Sequence, residues 1–143
     1  DIGLADPIAL LLATSAREAF DFLGVPEGLI ALDEITVYLS LAPKSNSLEI
    51  AGMQADSLIE RTGTLPVPRA FRNSVTQVGR ALRYGENYKY DHDSPGAYSG
   101  QDHFPIQLKG TELYQPTLYG KEKALAERLQ QLKARKAEIE KGH

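Results

Sequence analysis

The sequence contains no cysteine among its 143 residues. Disulfide frameworks and thiolate metal sites are therefore excluded, which fits a protein of a reducing cytosol. The sequence also lacks an apolar run of transmembrane length and a basic-then-apolar signal segment. We therefore expect a soluble, cytoplasmic chain with no membrane partner.

The motifs of common enzyme classes are missing as well. Lys44 and Ser45 resemble the end of a phosphate-binding loop, but the glycines that let backbone N–H groups wrap a phosphate are absent upstream. No Gly-x-Ser-x-Gly elbow accompanies the serines. The chain has no recognisable ATP site of its own, and we expect neither a catalytic residue nor a bound cofactor in it.

Histidine is scarce, which bears on the hypothesis of a metal site. Asp91, His92 and Asp93 stand together, and Asp102 and His103 follow ten residues later. Histidine–aspartate doublets build metal sites when further histidines come from separate helices, but here both internal histidines belong to one loop. We favour a structural role, in which these side chains bond exposed loop N–H groups, over a metal site.

The ends of the sequence predict a fragment of a longer protein, because it begins at Asp1 without an initiator methionine. Its last two residues, Gly142 and His143, are typical of a truncated purification tag and are set aside. Residues 1–141 are one domain's worth of chain. The net charge of −3 argues against a domain built mainly to coat nucleic acid.

Two helices are marked by their ends. Asp6 and Pro7 predict a helix start, because aspartate caps free N–H groups and proline at the first position loses no hydrogen bond. Helical apolar spacing follows as far as Gly24, a natural stop. Asn46 and Glu49 form a capping-box pattern that predicts a second helix, ending at the glycine at position 63.

Two other segments carry weaker signals. Residues 32–42 alternate like a strand and also fit a helix, and intrinsic propensity favours the strand. Asn73 is predicted to cap a short helix that ends at Gly85.

The last predicted helix, roughly 118–141, carries an apolar stripe with 4,3,4,3 spacing. The stripe comprises Leu118, Leu125, Leu129, Leu132 and Ile139, and the charged residues Glu122 and Lys136 interrupt it. The helix has seven Lys or Arg against four Glu, a local charge of +3. We favour a solvated helix docked on its own core, with an inter-subunit seam as the alternative.

Regular patterns disappear between Tyr84 and Tyr119, where six of the seven tyrosines lie. A segment of that length is usually functional or packed by its own side chains, and its aromatics argue against disorder. We predict a loop over residues 88–102 that is fixed by self-packing, with a Pro-Gly turn and buried tyrosines. The residues given this structural role are Tyr88, Tyr90, His92, Asp93, Pro95 and Tyr98.

A basic window precedes this loop and overlaps its start. It contains Arg69, Arg72, Arg80, Arg83 and Lys89, with Glu86 as the one acidic residue among them. Because tyrosines interleave with these cations, and Lys44 adds another, a surface that contacts phosphates and stacks bases is conceivable. Solvated surface cations are the favoured interpretation.

Six short motifs together resemble the C-terminal domain of the replication-associated recombination ATPases, the RarA or MgsA family of AAA+ proteins related to the Werner helicase interacting protein. The motifs are DIGLADP (1–7), GVPEG (24–28), YLSLAPKSN (38–46), LPVPRAFRN (65–73), YGENYKYDHDSPG (84–96) and YQPTLYGKE (114–122). Each is modest alone. Six in this order and at this spacing make a specific resemblance over nearly the whole chain.

The resemblance implies an all-α domain, similar to the post-ATPase collar of clamp loaders, with an irregular tyrosine-rich loop and a C-terminal amphipathic helix. Residues 32–42 are then a helix. The family role implies a homotetramerisation module, and we expect interface contributions from Leu48, Met53 and Leu58. The alternative function is accessory nucleic-acid binding through residues 69–89.

The resemblance also implies a parent protein, a DNA-dependent ATPase of replication fork maintenance and recombination in the bacterial, nucleoid-associated cytoplasm. Its ATPase core, which would use ATP and Mg, would lie upstream of Asp1, so this piece would be non-catalytic. The implied partners are further copies of the chain, DNA through the full-length protein, and single-strand DNA-binding protein.

Overall fold

The computed structural model describes residues 1–141, which contain helices and irregular segments and no β-strand. The prediction of an all-α fold is confirmed. The α-helices are α1 (Ile8–Leu23), α2 (Leu29–Leu41), α3 (Ser47–Thr62), α4 (Gln77–Ala81) and α5 (Glu122–Lys141). The tag remnant predicted at Gly142 and His143 lies outside the described residues.

Two compact units make up the described chain. The first comprises Asp1–Gln54 and Leu113–Leu129, and the second comprises Ala55–Glu112 and the chain from Gln130 onward. The α1 and α2 helices belong to the first unit, and α4 and most of the tyrosine-rich segment belong to the second. The single domain predicted over residues 1–141 stays a prediction.

A tight turn folds α2 back along α1. Gly24 ends α1 as predicted, with a φ of 69° and its N–H bonded to the carbonyl of Phe20 at 2.8 Å. The Val25–Pro26 peptide bond is cis, and Gly28 is buried where a Cβ would lie 3.0 Å from the Cα of Phe20. The resulting helical hairpin confirms the helix predicted over residues 32–42, against their strand propensity, except that it ends at Leu41 and Ala42 is extended.

The helix starts differ from the predictions in detail. Pro7 is the N-cap of α1, and the backbone carbonyl of Asp6 accepts the N–H of Ala9 at 3.0 Å. The predicted cap of α4 is wrong: Thr76 is its N-cap, and its hydroxyl accepts the N–H of Gly79 at 2.9 Å. Asn73 instead accepts the N–H two residues later, which closes the preceding turn.

The end of α4 and the start of α5 also lie elsewhere than predicted. The α4 helix ends at Ala81, four residues before Gly85, and α5 begins at Glu122 rather than near Leu118. Gly120, with a φ of 52°, lies in the turn that precedes α5. Backbone in this left-handed region cannot continue an α-helix, which explains the later start.

The described residues bury few large apolar side chains. Ala5 and Ala9 are the hydrophobic residues that are almost completely buried, whereas Phe22 is 90% exposed and Leu41 is 81% exposed. Apolar side chains of this kind recur along α1, α2 and α3. None of the described helices is both long and apolar enough to span a membrane. Extended apolar surface on a helical protein is typical of an association surface.

Candidate functional site

Three of the six motifs meet in the first unit around the buried carboxylate of Asp6. It accepts hydrogen bonds from the hydroxyl of Tyr38, near the end of α2, and from Nζ of Lys121 at 2.9 Å. The hydrogen bond from Tyr38, followed by that from Lys121, lowers the pKa of Asp6. The same contacts raise the pKa values of Tyr38 and Lys121. The side chain of Asp6 therefore joins the start of the chain to α2 and to the segment that precedes α5.

Glu122 is the centre of a second cluster in this unit, and its side chain is 0% exposed. Its carboxylate accepts hydrogen bonds from the hydroxyls of Ser47 at the start of α3, Tyr114 at 2.8 Å and Thr117 at 2.5 Å. Burial by itself would raise the pKa of Glu122. The hydroxyls of Ser45, Ser47, Thr117 and Tyr114 outweigh it and lower the pKa to about 2.

The same cluster affects Tyr114. Burial, followed by its hydrogen bond to Glu122, raises the pKa of Tyr114 to about 12. The tyrosine is therefore a permanent donor and the glutamate a permanent acceptor at neutral pH. This pair orients the segment before α5 against the first turn of that helix. The described partners of Glu122 are hydroxyl groups that hold an ionised carboxylate, which makes the arrangement a structural anchor.

The two charged residues that interrupt the α5 stripe both have partners. Glu122 is held by the hydroxyls described above, and Lys136 donates from Nζ to the carboxylate of Asp102 in the second unit. That hydrogen bond raises the pKa of Lys136. Lys133 pairs with Glu112 at 2.6 Å. Both interruptions of the predicted stripe therefore make polar contacts within the described residues. Whether the stripe docks on its own core or on another subunit stays a prediction.

Two further motifs meet in the second unit. The guanidinium of Arg72 donates from Nε to the carbonyl of Val67 at 2.6 Å and lies 5.1 Å from the ring centre of Tyr84. Phe71 stacks on His103, with 4.7 Å between ring centres, and meets Tyr88 edge-on at 5.9 Å. These contacts join LPVPRAFRN to YGENYKYDHDSPG.

A polar network holds the loop over residues 88–102. The carboxylate of Asp91 accepts the N–H of Ser99 at 2.8 Å and its hydroxyl at 2.5 Å. The bond from the hydroxyl, followed by that from the N–H, lowers the pKa of Asp91. Gln101 accepts the N–H of Lys89 at 2.8 Å and donates to the hydroxyl of Ser99 at 2.9 Å. The loop is therefore cross-linked by side chains that reach backbone groups.

The tyrosines of this loop differ from their prediction. Tyr88 is 51% exposed and Tyr90 is 53% exposed, so the expectation that both are buried is wrong. Tyr98 is half-buried beneath the guanidinium of Arg135, 5.7 Å from its ring centre. In this loop the cross-links that were expected from buried aromatic rings come instead from the hydrogen bonds of Asp91 and Gln101.

The other residues predicted to be structural lie on the outer part of the loop. The ring of His92 lies 5.1 Å from that of Tyr90, and His92 and Asp93 are exposed. Pro95 opens the short helical turn Pro95–Ala97. Their bracing role stays a prediction. The sequence analysis favoured a structural role in which the aspartates bond loop N–H groups, and Asp91 accepts the N–H of Ser99. It did not name Ser99 as the partner, because no periodic pattern links Asp91 to a serine eight residues away.

Within residues 1–141 the structure gathers no group of three or more potential metal ligands. The predicted basic residues belong to both units. Lys44 belongs to the first unit, and its Nζ donates to the carbonyl of Leu39 at 2.8 Å and to that of Ala42, at the C-terminal end of α2. Such a contact complements the negative end of the helix dipole.

The basic window itself belongs to the second unit. Arg72 supports the motif junction there, and Arg83 pairs with Glu86 at 3.5 Å in a solvent-exposed contact. Arg69 and Arg80 are exposed, and the backbone N–H of Lys89 bonds to Gln101. The DNA-contact role of these residues stays a prediction.

The three residues predicted for an oligomer interface lie on α3. Leu48 and Met53 are exposed and belong to the first unit, and Leu58 is half-buried and belongs to the second. Their accessibility is compatible with an interface, and their role in one stays a prediction.

Gly120 provides a test of the packing between the turn that precedes α5 and the backbone of Ala5. A Cβ on this residue would lie 2.1 Å from the backbone carbonyl oxygen of Ala5, which also accepts the N–H of Lys121 at 2.8 Å. We expect Gly120→Ala to lower the free energy of unfolding by at least about 2 kcal/mol more than Gly63→Ala. Gly63 has a similar φ of 62° with open space around it, so the control carries the backbone strain without the clash. Denaturant unfolding followed by circular dichroism measures both, and equal losses would contradict the prediction.

Glu122 provides a test by pH. Its folded pKa of about 2 lies below the ordinary value of 4.5, so its stabilisation is present above pH 4.5 and is lost as the pH falls toward 2. We expect Glu122→Gln to cost about 2 to 4 kcal/mol at neutral pH and to flatten the acid limb of stability. The control is Glu127→Gln, an exposed change on the same helix. If Glu122→Gln kept the wild-type acid limb, the network would not hold an ionised carboxylate.

Asp91 provides a test of the loop. Asp91→Ala leaves the N–H and the hydroxyl of buried Ser99 without their acceptor, whereas Tyr90→Ala removes a half-exposed ring. We therefore expect Asp91→Ala to lower the melting temperature more than Tyr90→Ala does. His92→Ala should change it least, because that side chain is exposed. A larger effect of Tyr90→Ala would show that aromatic packing dominates.

The sequence of this chain matches a family of known proteins. The model of the MgsA AAA+ ATPase C terminal matches residues 1–133. A protein named Replication-associated recombination protein A from Coxiella burnetii is 42% identical over 131 residues, which are 91% of this chain and 30% of that protein. Its namesake from Haemophilus influenzae is 39% identical over 134 residues, 93% of this chain and 30% of that protein. A protein named ATPase WRNIP1 from Dictyostelium discoideum is 36% identical over 116 residues, 81% of this chain and 12% of that protein.

The chain therefore spans less than a third of the length of each of these relatives. The match over residues 1–133 includes all six motifs. Five of them supply residues to the contacts around Asp6 and Glu122 in the first unit or around Arg72 in the second. The resemblance seen in the motifs is confirmed, and the chain belongs to the family of MgsA AAA+ ATPase C-terminal domains.

Proposed function

We propose that this chain is a homotetramerisation module of a DNA-dependent AAA+ ATPase that acts in replication fork maintenance and recombination. The observation that carries the proposal is the apolar surface of the helices in the first unit. The α1 and α2 helices expose Leu10, Leu11, Phe22, Ile30 and Leu41 by more than half of each residue. The family indicates the biological context, because five relatives of this chain are named for replication-associated recombination.

The amount of exposed apolar surface argues for association with other protein. A chain of this length that acted alone would bury most of its large hydrophobic side chains. In the described residues, the polar clusters around Asp6, Glu122 and Asp91 join segments that are distant in the chain. Exposed apolar side chains on well-formed helices gain free energy when a second helical surface covers them.

The activity of the whole protein is part of this proposal. ATP and Mg would bind in the larger part of the protein that this chain does not cover, and the module would bring those parts together. DNA would be bound through the full-length protein, and single-strand DNA-binding protein would be a partner of the assembly in the bacterial cytoplasm near the nucleoid. The domain itself would carry no catalytic residue.

Accessory nucleic-acid binding has less support from the contacts. Lys44 and Arg72 are engaged with backbone carbonyls, and Arg83 has a nearby carboxylate. The chain has a net charge of −3, which opposes phosphate binding at a distance.

The assembly state tests the proposal directly. We expect sedimentation equilibrium of this chain to give the mass of four copies at high protein concentration, with dissociation on dilution. A monomer at every concentration would contradict the proposal. Titration with single-stranded DNA at low salt provides the second arm: weak binding that disappears as salt is raised would support the accessory function, and tight, salt-resistant binding would replace the proposal.

A further inference from the structure

We propose that the second half of α5, residues 130–141, is a releasable arm that a strap of residues 95–112 holds closed through ion pairs. Both segments belong to the second unit, so the contacts between them lie within one compact body. The inference is independent of the proposed function, because it concerns a movement within one copy of the chain. It follows from a contrast between the two ends of the same helix.

The strap lies directly against the arm. A Cβ on Gly100 would lie 3.3 Å from Cδ1 of Ile139 and 3.8 Å from the Cα of Lys136. The guanidinium of Arg135 lies 5.7 Å from the ring centre of Tyr98. The backbone of the strap therefore crosses the last turns of α5 closely enough to cover one side of them.

Ion pairs at the solvent boundary close the strap over the arm. Nζ of Lys133 lies 2.6 Å from the carboxylate of Glu112, and the two side chains are 38% and 55% exposed. Lys136 donates to the carboxylate of Asp102, with exposures of 30% and 34%. Pairs in contact with water contribute little stability each and are weakened by salt. The arm is therefore held by several weak contacts that depend on ionic strength.

Release of the arm strands no charge in the strap. The carboxylate of Asp102 is shared, because Nζ of Lys109, another strap residue, lies 3.8 Å from its second oxygen. When Lys136 leaves, Lys109 stays beside Asp102, and the separated Lys133 and Glu112 are both accessible to water. A broken ion pair is costly when it leaves a buried charge without a partner. That cost is small here, so the open state is within reach.

The start of α5 is held in a different way. The carboxylate of Glu122 is 0% exposed and accepts hydrogen bonds from hydroxyl groups that include those of Ser47 and Tyr114. Breaking that network would leave a buried carboxylate unsatisfied, so the first turn is fixed. A helix that continues from a fixed turn needs no new nucleation, and residues 130–141 contain neither glycine nor proline. The arm can therefore detach and still form helix.

Opening changes the surface that the chain offers. The arm has four cations against two carboxylates, and the cations are Lys133, Arg135, Lys136 and Lys141. Leu132 and Ile139 are half-buried in the closed state. Release uncovers these two apolar side chains and separates the cations from the strap. The latch therefore switches the arm between a covered state and a basic, amphipathic one.

Hydrogen–deuterium exchange of the chain, followed by mass spectrometry, measures the opening. An increase in salt from about 0.05 M to about 0.5 M shortens the Debye length about threefold. We expect it to speed exchange in residues 98–112 and 130–141 together, by at least about threefold relative to the α1 segment, because the two sides of a latch open as one unit. Exchange in these segments that does not respond to salt would overturn the latch.

Variants separate the ion pairs from other causes. Asp102→Asn should speed exchange in both segments at low salt and reduce their response to salt, whereas Asp56→Asn, the same change at an exposed position of the second unit, should leave both as in the wild type. Lys136→Glu should open the latch, and addition of Asp102→Lys should restore protection by reversing the pair. Circular dichroism checks that each variant is folded.

Two results from the variants would overturn the inference. The first is exchange in the double variant as fast as in Lys136→Glu alone, since a pair held by charge must tolerate reversal. The second is protection of residues 130–141 that follows protein concentration and ignores Asp102→Asn. That outcome would place the arm in a seam between subunits and leave the proposed tetramerisation standing. A monomeric chain that passes the salt and variant tests would support the latch and contradict only the proposed function.

Discussion

The buried carboxylate of Glu122 is the contact on which the first unit depends. A charged group without a cation is expensive to bury, and it is tolerated here because hydroxyl groups surround both of its oxygens. Those hydroxyls come from the start of α3 and from the segment before α5, and Ser47 is 75 residues away in the chain. Because such a network is favourable only when it is complete, it selects one arrangement of these segments. The neighbouring Asp6 ties the start of the chain and the end of α2 to the same place.

Polar cross-links also organise the second unit, where regular secondary structure is scarce. Arg72 reaches a backbone carbonyl and a tyrosine ring, and Asp91 reaches the buried Ser99. These contacts supply the order that helices supply elsewhere in the chain, since they satisfy backbone groups that an irregular segment leaves free. The tyrosines contribute partly covered rings rather than a buried core.

Because polar contacts hold these segments together, apolar side chains of the helices stay exposed and can contact other protein. In the first unit, hydrogen bonds and an ion pair hold segments of the chain together, while Ile30, Val37 and Leu41 of α2 stay exposed. A domain stabilised in this way can present a hydrophobic face without giving up its own fold. The same property suits a module whose proposed role is to join copies of a larger enzyme.

The sequence alone determined the elements whose signals are local. The stop of α1 at Gly24 and the end of α3 just before Gly63 follow from glycine chemistry at each end, and α3 begins at Ser47, next to the predicted cap Asn46. The spacing placed Glu122 and Lys136 in line with the leucines of the α5 stripe, although it gave no partner for either. The six motifs identified the family and with it the all-α fold.

Tertiary structure decided what depends on distant partners. Residues 32–41 became helical because α2 packs along α1, which outweighs the small strand preference of their side chains. Asp6 was assigned to a helix cap, but a hydroxyl and an ammonium group from far along the chain occupy its carboxylate. The exposure of Tyr90 was equally beyond prediction, because burial is set by which segments meet, and residue type and spacing carry no record of that.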